Sequence, residues 1–483
     1  MGINASQLLF STSAADIVEG SLSVRSVSGR QWLSRPYEYE IELACSVDGG
    51  LSADVIDALL AGTCRVEVSS EIDASTLEVH GVMRRLELLP MRNDIEAVYR
   101  VTLVPTLSRT ALSYGSRIFQ DATWPEIVSS VLTEHGVTHE LRIDGTYPSR
   151  EYTVQYDETD LAFVSRLLEH WGIFYFFEQE PDGEKMVIAD GSSAFVAHAD
   201  HETVPYLTHL DQGDDSSTGG ISELGRVHEI QPSRIDLKDY NWRHPRVTPE
   251  GEYPADEASG HGTLHIYGEH IKDPQEGVEL AQIRAEQLLV DREIYNGCTN
   301  VLELLPGHKL LLNGYPSGDL DQDYVLTSIE DDIKSGGAVE RRFTAIPYSV
   351  PYRSKQRTPK PRVPGTTHAH VDGEVAGAAA PIDELGRYKL LFPFDRVAEA
   401  GGRASRWVRM AQSSTGSNYG MHLPLHIGCE VAILHIGGDP DRPLIVGAVP
   451  NAETISPVTQ EDATKSRIRT KSGILIEMED SGF

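Results

Sequence analysis

Residues 150–178, Arg150-Glu-Tyr-Thr-Val-Gln-Tyr-Asp-Glu-Thr-Asp-Leu-Ala-Phe-Val-Ser-Arg-Leu-Leu-Glu-His-Trp-Gly-Ile-Phe-Tyr-Phe-Phe-Glu178, combine the signals of a helix and of a buried strand. A helix is predicted to begin near Asp157-Glu-Thr-Asp160 and to end at Gly172, because glycine commonly follows a helix C-terminus. Residues 173–178 are predicted to form a strand buried on both faces. The apolar stripe of the helix consists of Leu161, Val164, Leu168 and Trp171.

The sequence before this segment alternates apolar and polar residues. The heptapeptides Tyr37–Leu43 and Val98–Val104 would each place one face on a core and the other in solvent. We therefore predict antiparallel strands in a barrel or sandwich up to about residue 110. A first helix is predicted from Thr123-Trp-Pro-Glu126, which combines an N-cap candidate, an early proline and a capping-box glutamate, to Gly136.

The sequence after residue 178 predicts a second β-rich region that ends in a linker. Strands are predicted to resume at 221–245 and to continue to about Phe343, with the longest helix of the chain between about Gln275 and Asp291. Residues 347–366 are rich in proline, arginine and lysine. Such a segment is typically stiff, extended and poor in core residues, so it predicts a domain boundary.

Residues 367–450 are predicted to form a small barrel of the OB type, because about five short strands fall within this length. A binding module is the default expectation for such a barrel, although the fold alone does not identify the ligand. The predicted strands include 385–392, 406–410, 430–436 and 444–447.

The last stretch, Ser466 to Glu479, alternates without interruption. Even positions are small or apolar, whereas odd positions are mostly charged, which predicts one strand roughly 45 Å long at about 3.3 Å per residue. No partner strand follows in the chain, and an exposed edge of this length would aggregate. The pattern therefore predicts a homo-oligomer whose C-termini wrap together, with a longer tail expected beyond Phe483.

The charge of the chain limits its partners. Its 483 residues carry 42 Lys and Arg against 73 Asp and Glu, a net charge of −31. This surface disfavours nucleic acid and anionic membranes. The N-terminus shows no secretory signal, and no apolar run is long enough to span a membrane, so export would use a route that reads no signal peptide. The four cysteines are predicted to be free thiols rather than disulfide or zinc ligands: Cys45, Cys64, Cys298 and Cys429.

The segment 150–178 closely resembles the VgrG family, the spike or tip proteins of type VI secretion, which are related to phage tail hub-spike proteins. The match extends to Ser116-Arg-Ile-Phe-Gln-Asp121 and, in the later region, to Asp383-Glu-Leu-Gly-Arg-Tyr-Lys-Leu-Leu-Phe-Pro-Phe-Asp-Arg396. Trp407-Val-Arg-Met-Ala-Gln412 and Gly438-Asp-Pro-Asp-Arg-Pro443 continue it in the same order. The resemblance covers nearly the whole chain.

This resemblance implies a mainly β fold with a few helices, in which a tail-hub-like body of two β-barrels precedes an OB-fold and the start of an intertwined trimeric β-helix. The corresponding domain boundaries are 1–110 for the first hub barrel, 111–210 for a helix-containing insertion, 211–346 for the second hub barrel, 347–366 for the linker, 367–455 for the OB-fold, and 456–483 for the neck and the truncated needle.

The resemblance also implies a function. A homotrimer would cap an inner tube of Hcp-like hexamers, dock on baseplate proteins, carry effectors and a PAAR-type tip protein, and puncture a target envelope. Such a protein would reside in the bacterial cytoplasm before firing and then be secreted, without stable membrane insertion. The alternatives are the spike of an extracellular contractile injection particle or phage tail, and a hub protein with cell-wall hydrolase activity.

No catalytic, cofactor-binding or metal site is predicted, since the sequence contains no nucleophile elbow, P-loop or zinc-protease motif. His261 and His265 lie on a segment that looks extended, and His368 and His370 share a strand face without an evident carboxylate or cysteine partner. Asp319, Asp321, Asp323 and Glu330 have the spacing of a calcium loop, but Tyr324 occupies the position that requires glycine. Basic clusters at 347–366 and Arg467–Lys471 are candidates for pairing between subunits.

Overall fold

The chain folds into two compact units that exchange segments. The computed structural model describes residues 6–14, 22–46, 51–70, 75–90, 96–208, 219–337 and 339–480. The first unit comprises residues 1–113, 124–147 and 159–359, and the second comprises 114–123, 148–158 and 360–483. The predicted insertion 111–210 is therefore not a unit of its own, because its segments are shared between the two units. The boundary after residue 359 lies within the proline-rich segment.

The helices are close to those that the sequence predicts. They are α1 (Ala53–Ala61), α2 (Trp124–Glu134), α3 (Asp160–His170) and α4 (Pro274–Leu289). The Thr159 side chain accepts a hydrogen bond from the Ala162 N–H and caps α3, and Gly172 beyond its end has a φ of 63°. Among the α-helices of the described residues, α1 is the one that the sequence does not predict.

Most of the remaining elements are strands. Those of the first half are β1 (Ser6–Thr12), β2 (Ser23–Trp32), β3 (Arg35–Ser46), β4 (Thr63–Ser70), β5 (Thr76–Leu88), β6 (Glu96–Val104), β7 (Tyr114–Phe119), β8 (His139–Arg142), β9 (Thr153–Thr159), β10 (Phe174–Glu180), β11 (Gly183–Ala189), β12 (Val196–Ala197), β13 (Thr203–Pro205) and β14 (Ile221–His228). Those of the second half are β15 (Arg234–Lys238), β16 (Glu250–Pro254), β17 (Thr263–Tyr267), β18 (Glu293–Thr299), β19 (His308–Asn313), β20 (Asp323–Lys334), β21 (Val339–Pro347), β22 (Thr366–Val371), β23 (Leu390–Leu391), β24 (Thr415–Gly416), β25 (Tyr419–Gly420), β26 (Glu430–His435), β27 (Pro443–Ala448), β28 (Lys465–Arg469) and β29 (Leu475–Glu479).

One continuous sheet of 13 strands forms the body of the first unit. Its main path runs β1-β4-β5-β6-β3-β2-β20-β21-β18-β14, and β19 pairs with β20, β12 and β13. The alternation predicted for Tyr37–Leu43 is confirmed, since its odd positions are buried and its even positions are not. The antiparallel pairing of β2 with β20, from Ser26↔Lys334 to Trp32↔Ser328, joins the N-terminal strands to the later ones.

A buried polar row crosses this junction. Tyr39 on β3, Gly29 on β2, Asp331 on β20 and Arg341 on β21 are successive cross-strand partners. Arg341 Nε donates to Asp331 Oδ1 at 2.7 Å, and Tyr39 Oη donates to Asp331 Oδ2 at 2.6 Å. The side chains of Arg341 and Asp331 are fully buried. Burial, with Asp331 beside it, raises the pKa of Tyr39 well above its usual value, so the phenol remains a donor.

A smaller layer in the first unit consists of the sheet β16-β15-β17 and α4. α4 packs over β16 and β15, where its apolar residues cover Ile235 and Leu237. A Cβ at Gly251 would lie 2.0 Å from the Gly277 carbonyl carbon, so the helix and β16 touch backbone to backbone. Glycine is required at this contact because any side chain would push α4 off the sheet.

The OB region is built around the sheet β23-β22-β26-β27. The strands predicted at 430–436 and 444–447 are observed as β26 and β27, which pair antiparallel. Two other predicted strands are wrong in length: 385–392 contributes only β23, and 406–410 contributes isolated bridges such as Tyr388↔Val408. Residues 385–387 belong to a turn, but Tyr388, Phe392 and Val408 of these two segments are nevertheless buried in the core of this unit.

Few residues of 347–366 are buried, as predicted, but the segment packs against the folded chain. Tyr352 packs against the apolar cluster that contains Phe174, and the N–H groups of Arg357 and Thr358 both donate to Glu169 Oε2 at 2.8 Å. Val363 is buried as well. Proline keeps the segment extended. Its backbone N–H groups nevertheless form hydrogen bonds with the folded chain, so the segment is part of the packed structure.

The single long strand predicted from Ser466 to Glu479 is also wrong. The chain reverses at Thr470–Gly473, where Gly473 has a φ of 94° and its N–H donates to the Thr470 carbonyl, and β28 pairs with β29. The alternation passes through the turn unchanged, because the partners Ile468 and Ile476 are both even positions. The same pattern therefore fits a long strand and a hairpin equally well.

We expect Arg341→Met to lower the free energy of unfolding of the first unit by about 3–5 kcal/mol, because it leaves Asp331 charged and buried without its partner. Urea unfolding followed by tryptophan fluorescence measures the change. Arg30→Met is the matched control. Its ion pair with Glu330 joins β2 to β20 at the surface, with the two side chains 45% and 47% exposed, so its loss should cost no more than about 1 kcal/mol. Equal effects of the two variants would contradict this account.

Candidate functional site

The structure separates the histidines singled out in the sequence. His265 lies on β17 and its Nδ1 is 2.7 Å from Asp236 Oδ2, whereas His261 lies before the strand and is exposed. This agrees with the prediction of an extended segment. His368 and His370 share a face of β22 as predicted, but the absence of a carboxylate partner is wrong, since Glu430 Oε1 lies 2.7 Å from His368 Nδ1.

The calcium-like spacing does not converge on one point, because each of its carboxylates has a different partner. Asp321 accepts from the N–H groups of Gly314 and Tyr315, Asp319 from the Ser317 hydroxyl, Asp323 from Lys309, and Glu330 from Arg30. Tyr324, at the position that a calcium loop gives to glycine, is buried at the start of β20. The four carboxylates act as turn and strand partners.

Two further sets of titratable side chains are a cluster of histidines and the four cysteines. A histidine cluster that the sequence analysis missed brings His198 within 5.3 Å of His201 and 5.8 Å of His308, measured between ring centroids. Burial, and then His198, lowers the pKa of His308 to about 4, so this imidazole is neutral near pH 7. The four cysteines form no disulfide with one another.

The motif Asp383–Arg387 builds a turn in the second unit. Asp383 accepts hydrogen bonds from the Leu385 and Arg387 N–H groups and from Arg387 Nε. Gly386 within the turn has a φ of 70°, a conformation that glycine adopts without strain. Burial alone would raise the pKa of Asp383, but the hydrogen bonds from Arg387 outweigh it and hold the pKa below its usual value.

Asp372 organises a second loop of this unit. Its carboxylate accepts from four backbone N–H groups, those of Gly373, Gly401, Gly402 and Ala404, at 2.8 to 3.3 Å. The residue is buried, and these hydrogen bonds replace those that its carboxylate would make with water. This role could not be predicted from the sequence, since three of the four donors lie about 30 positions away along the chain.

The motif 438–443 binds the segment 148–158, which belongs to the second unit. Asp441 Oδ1 accepts from the Val154 N–H at 2.7 Å, and Tyr152 and Val154 lie in the core cluster of this unit. Lys360 Nζ lies 2.8 Å from Asp441 Oδ2 and 2.9 Å from Asp439 Oδ1. These family motifs thus build turns and attachments within the unit.

The second unit exposes many large apolar side chains. Tyr419, Leu423 and Leu385 are 71%, 57% and 64% exposed. Isolated exposed apolar residues are ordinary, but a concentration of them marks a contact surface. Further examples from this unit are Val375, Ile382, Val397, Met421, Leu434, Ile436, Val446 and Ile455.

The tail hairpin, β28 and β29, has two unlike faces. Cross-strand partners share a face, so Ile468 and Ile476 lie together with the pair Ser466 and Met478. These three apolar side chains are each between 43% and 61% exposed. On the other face, Arg467 donates to both Asp462 and Glu477 at 2.6 Å, which lowers the pKa of both carboxyls. An isolated two-stranded hairpin is marginal in water, so its apolar face needs a cover.

Comparison with known proteins gives the two units a family context. The phage tail baseplate hub family matches residues 30–337, and the type VI secretion system/phage-baseplate injector OB domain family matches residues 379–449. The spike protein VgrG1b of Pseudomonas aeruginosa is 31% identical, covering 93% of this chain and 62% of its own length. VgrG1a of the same organism is 30% identical, covering 93% of this chain and 71% of its own length.

Solved structures agree in fold. The E. coli c3393 protein, a component of the type VI secretion system with structural similarity to the T4 bacteriophage tail proteins gp27 and gp5, matches with a TM-score of 0.67 at 24% identity, covering 91% of this chain and 100% of its own. A Francisella PdpA-VgrG complex matches with a TM-score of 0.67 at 7% identity, covering 98% and 83%.

A hub body followed by an injector OB domain defines a baseplate hub of contractile injection machines. The chain belongs to the VgrG family of type VI secretion spike proteins. The predicted family and the mainly β fold class are therefore confirmed. The chain spans 62% of the length of VgrG1b and 44% of that of the actin cross-linking toxin VgrG1 of Vibrio cholerae. Spike proteins of this type are secreted by the machine, and every helix in the described part of the chain is too short or too polar to cross a membrane.

We expect Asp372→Ala to open the loop around Gly401, because four backbone donors lose a buried acceptor at a cost of about 1–3 kcal/mol each before water replaces it. Limited trypsin digestion, read by mass spectrometry, should show faster cleavage after Arg403. Val397→Ala is the control, since Val397 is an exposed residue of the same loop, whereas Glu399 pairs with Arg403 itself. Unchanged cleavage in Asp372→Ala would show that the carboxylate does not hold the loop.

Proposed function

We propose that the chain acts as a homotrimeric, non-catalytic spike and hub of a type VI secretion machine. The apolar face of the tail hairpin carries this proposal. In the trimer, that face would be covered by the hairpins of the other two chains, and three copies form the closed ring that the family resemblance implies. Each isoleucine or methionine buried in this way would contribute about 1.5–3 kcal/mol.

The charge of the chain supports an apolar rather than an ionic contact between subunits. Three chains of −31 would carry −93, and repulsion on this scale needs extensive apolar burial to offset it. The two basic clusters are already used within one chain: Arg353 pairs with Glu286, Lys355 with Asp291, and Arg467 with Asp462. Their predicted role in pairing between subunits is therefore not part of the proposal.

The remaining partners follow from family membership. The trimer would cap an inner tube of Hcp-like hexamers, dock on the baseplate, and carry effectors and a PAAR-type tip into the target envelope. The Francisella complex of VgrG with PdpA supports partner binding by this fold. Before firing the protein would reside in the bacterial cytoplasm, and it would leave with the machine.

The proposed absence of catalysis rests on where the polar side chains lie. The candidate histidines and carboxylates of the sequence are engaged in turns and strand pairs, and the family motifs of the second unit build loops. The relative named as an actin cross-linking toxin matches this chain over 44% of its own length, and the activity in its name is not proposed for the residues described here.

We expect light scattering of the purified chain to give a mass of about 160 kDa, three times 53.2 kDa. Ile476→Asp should shift the mass toward the monomer, because it places three charges inside the proposed contact. Leu475→Asp is the matched control, since its side chain lies on the opposite face, beside Arg469. A monomer for the unaltered chain, or dissociation by both variants alike, would contradict the trimer.

We expect no release of soluble fragments when the purified protein is incubated with dye-labelled peptidoglycan. Glycoside hydrolysis requires a pair of carboxyl groups that flank the bond to be cleaved, and no such pair is part of the proposal. Lysozyme serves as the positive control in the same assay. Release above the rate of a heat-denatured sample would overturn the non-catalytic assignment and favour the hydrolase alternative.

A further inference from the structure

His368 and His370 lie on the solvent-facing side of β22. The alternate residues of this strand, Ala369 and Val371, are buried in the core of the second unit, so the two histidines share the opposite face. His368 is exposed and His370 is partly buried. Their β-carbons lie about 6.6 Å apart, twice the rise of a strand. Two imidazoles at this spacing can lean together until one nitrogen of each lies about 2.0–2.1 Å from a shared metal ion.

Glu430 orients the first of these rings. It lies on β26 directly opposite His370 and diagonal to His368, and its Oε1 is 2.7 Å from His368 Nδ1. Because a carboxylate accepts hydrogen bonds and donates none, Nδ1 of the neutral ring carries the proton and Nε2 keeps its lone pair. A histidine held by a carboxylate in this way is the usual arrangement around a protein-bound metal ion, since the partner fixes the ring and strengthens its free nitrogen as a ligand.

The Glu430 carboxylate is itself held in place. Asn451 Nδ2 donates to Glu430 Oε2 at 2.9 Å, so each carboxylate oxygen has a partner. The Asn451 side chain is fixed in turn, because its Oδ1 accepts from the N–H groups of Glu453 and Thr454. These contacts set the orientation of the His368 ring in advance, and a ligand already in place loses less conformational freedom when an ion binds.

The sheet face beside the two rings has room for an ion and its water ligands. His368 lies opposite Ala432, which pairs in turn with Gly447 on β27. A Cβ added to Gly447 would meet no atom within 4 Å, so the space above this part of the sheet is open. None of the three residues that pair with the two histidines is a lysine or an arginine. No cation of these pairing residues therefore repels a metal ion.

The histidine cluster of the first unit lacks the free nitrogen that a metal requires. His308 Nδ1 accepts from the Leu305 N–H at 3.2 Å, and His198 Nδ1 accepts from the Asp200 N–H at 3.4 Å. In both neutral rings the proton is therefore on Nε2 and the lone pair of Nδ1 is already engaged. The direction of the hydrogen bond thus distinguishes His368 from these two rings.

We propose that His368 and His370 bind a divalent transition-metal ion, with Glu430 as the residue that orients His368. The ligand atoms of these three side chains do not all lie within 4.8 Å of one another. Glu430 is therefore the partner of a ligand rather than a third ligand, and His370 turns about its side-chain bonds to complete the pair. Imidazole nitrogens favour Zn²⁺ over Mg²⁺ and Ca²⁺, which prefer oxygen ligands, and water completes the shell. The site goes beyond the trimeric spike function, because it uses no residue of the tail hairpin.

Calorimetric titration of the full chain with ZnCl₂ tests the site, provided that the chain carries no polyhistidine tag. Millimolar Mg²⁺ in the buffer occupies weak oxygen sites among the 73 Asp and Glu residues. We expect one Zn²⁺ per chain with a dissociation constant below about 100 μM. Absence of Zn²⁺ binding under these conditions would overturn the proposal.

Three variants locate the ion. His370→Ala should weaken Zn²⁺ binding at least about tenfold, because one of two ligands is lost, and Glu430→Gln should weaken it about tenfold, because the orienting charge is lost. His265→Ala is the matched control and should leave the affinity unchanged. His265 is also an exposed strand histidine with Nδ1 2.7 Å from a carboxylate, that of Asp236, but it has no second imidazole two positions away. Equal weakening by His265→Ala and His370→Ala, or unchanged affinity in Glu430→Gln, would contradict the assignment.

Electron paramagnetic resonance with one equivalent of Cu²⁺ counts the ligands directly. The unaltered chain should show coupling of the copper electron to two coordinating nitrogens, and His370→Ala should show coupling to one. This readout reports the number of ligands rather than affinity, so a small change in the stability of the variant does not affect it. Two nitrogens that persist in His370→Ala, or a single nitrogen in the unaltered chain, would overturn the proposal.

Discussion

The body of this protein depends on one buried carboxylate, that of Asp331 on β20, which accepts hydrogen bonds from residues on β21 and β3. Asp331 accepts from Arg341 on one side and, across β2, from Tyr39 on the other. Tyr39 reaches it only because Gly29 has no side chain, since a Cβ there would lie 2.3 Å from the tyrosine ring. Gln31 then donates to the Tyr39 hydroxyl. One row of four strands thus fixes the register at which the early and late strands of the chain meet.

Features that depend on neighbours in the chain could be predicted from the sequence. Alternation located β3 and β6, capping residues located α2 and α3, and motifs identified the family. Features that depend on distant partners could not be predicted. The polar row unites residues about 300 positions apart, and Asp372 finds three of its four donors in a loop that composition alone does not mark. The tail could not be predicted for a different reason. Its apolar residues remain at even positions on both sides of the turn, so the alternation is the same for one long strand and for a hairpin.

The tail hairpin shows the same division. The alternation of the sequence already places the isoleucines on one face, and the structure adds that the chain reverses and that Arg467 on the other face is paired with Asp462 and Glu477. The extended backbone of β17 could also be predicted. That α4 packs mainly over β16 and β15 could not, because it depends on the close contact of Gly277 with Gly251.

The exchange of segments between the two units bears on how such proteins diversify. In the described structure the chain passes between them five times, and β7 and β9, which precede α3, supply core residues to the OB unit, among them Ile118, Val154 and Tyr156. A recombination event that replaced everything after the proline-rich segment would bring in a barrel matched to another protein's β7 and β9. Functional chimeras therefore require that these two short segments be inherited together with the C-terminal region, which couples genetic positions more than 200 codons apart.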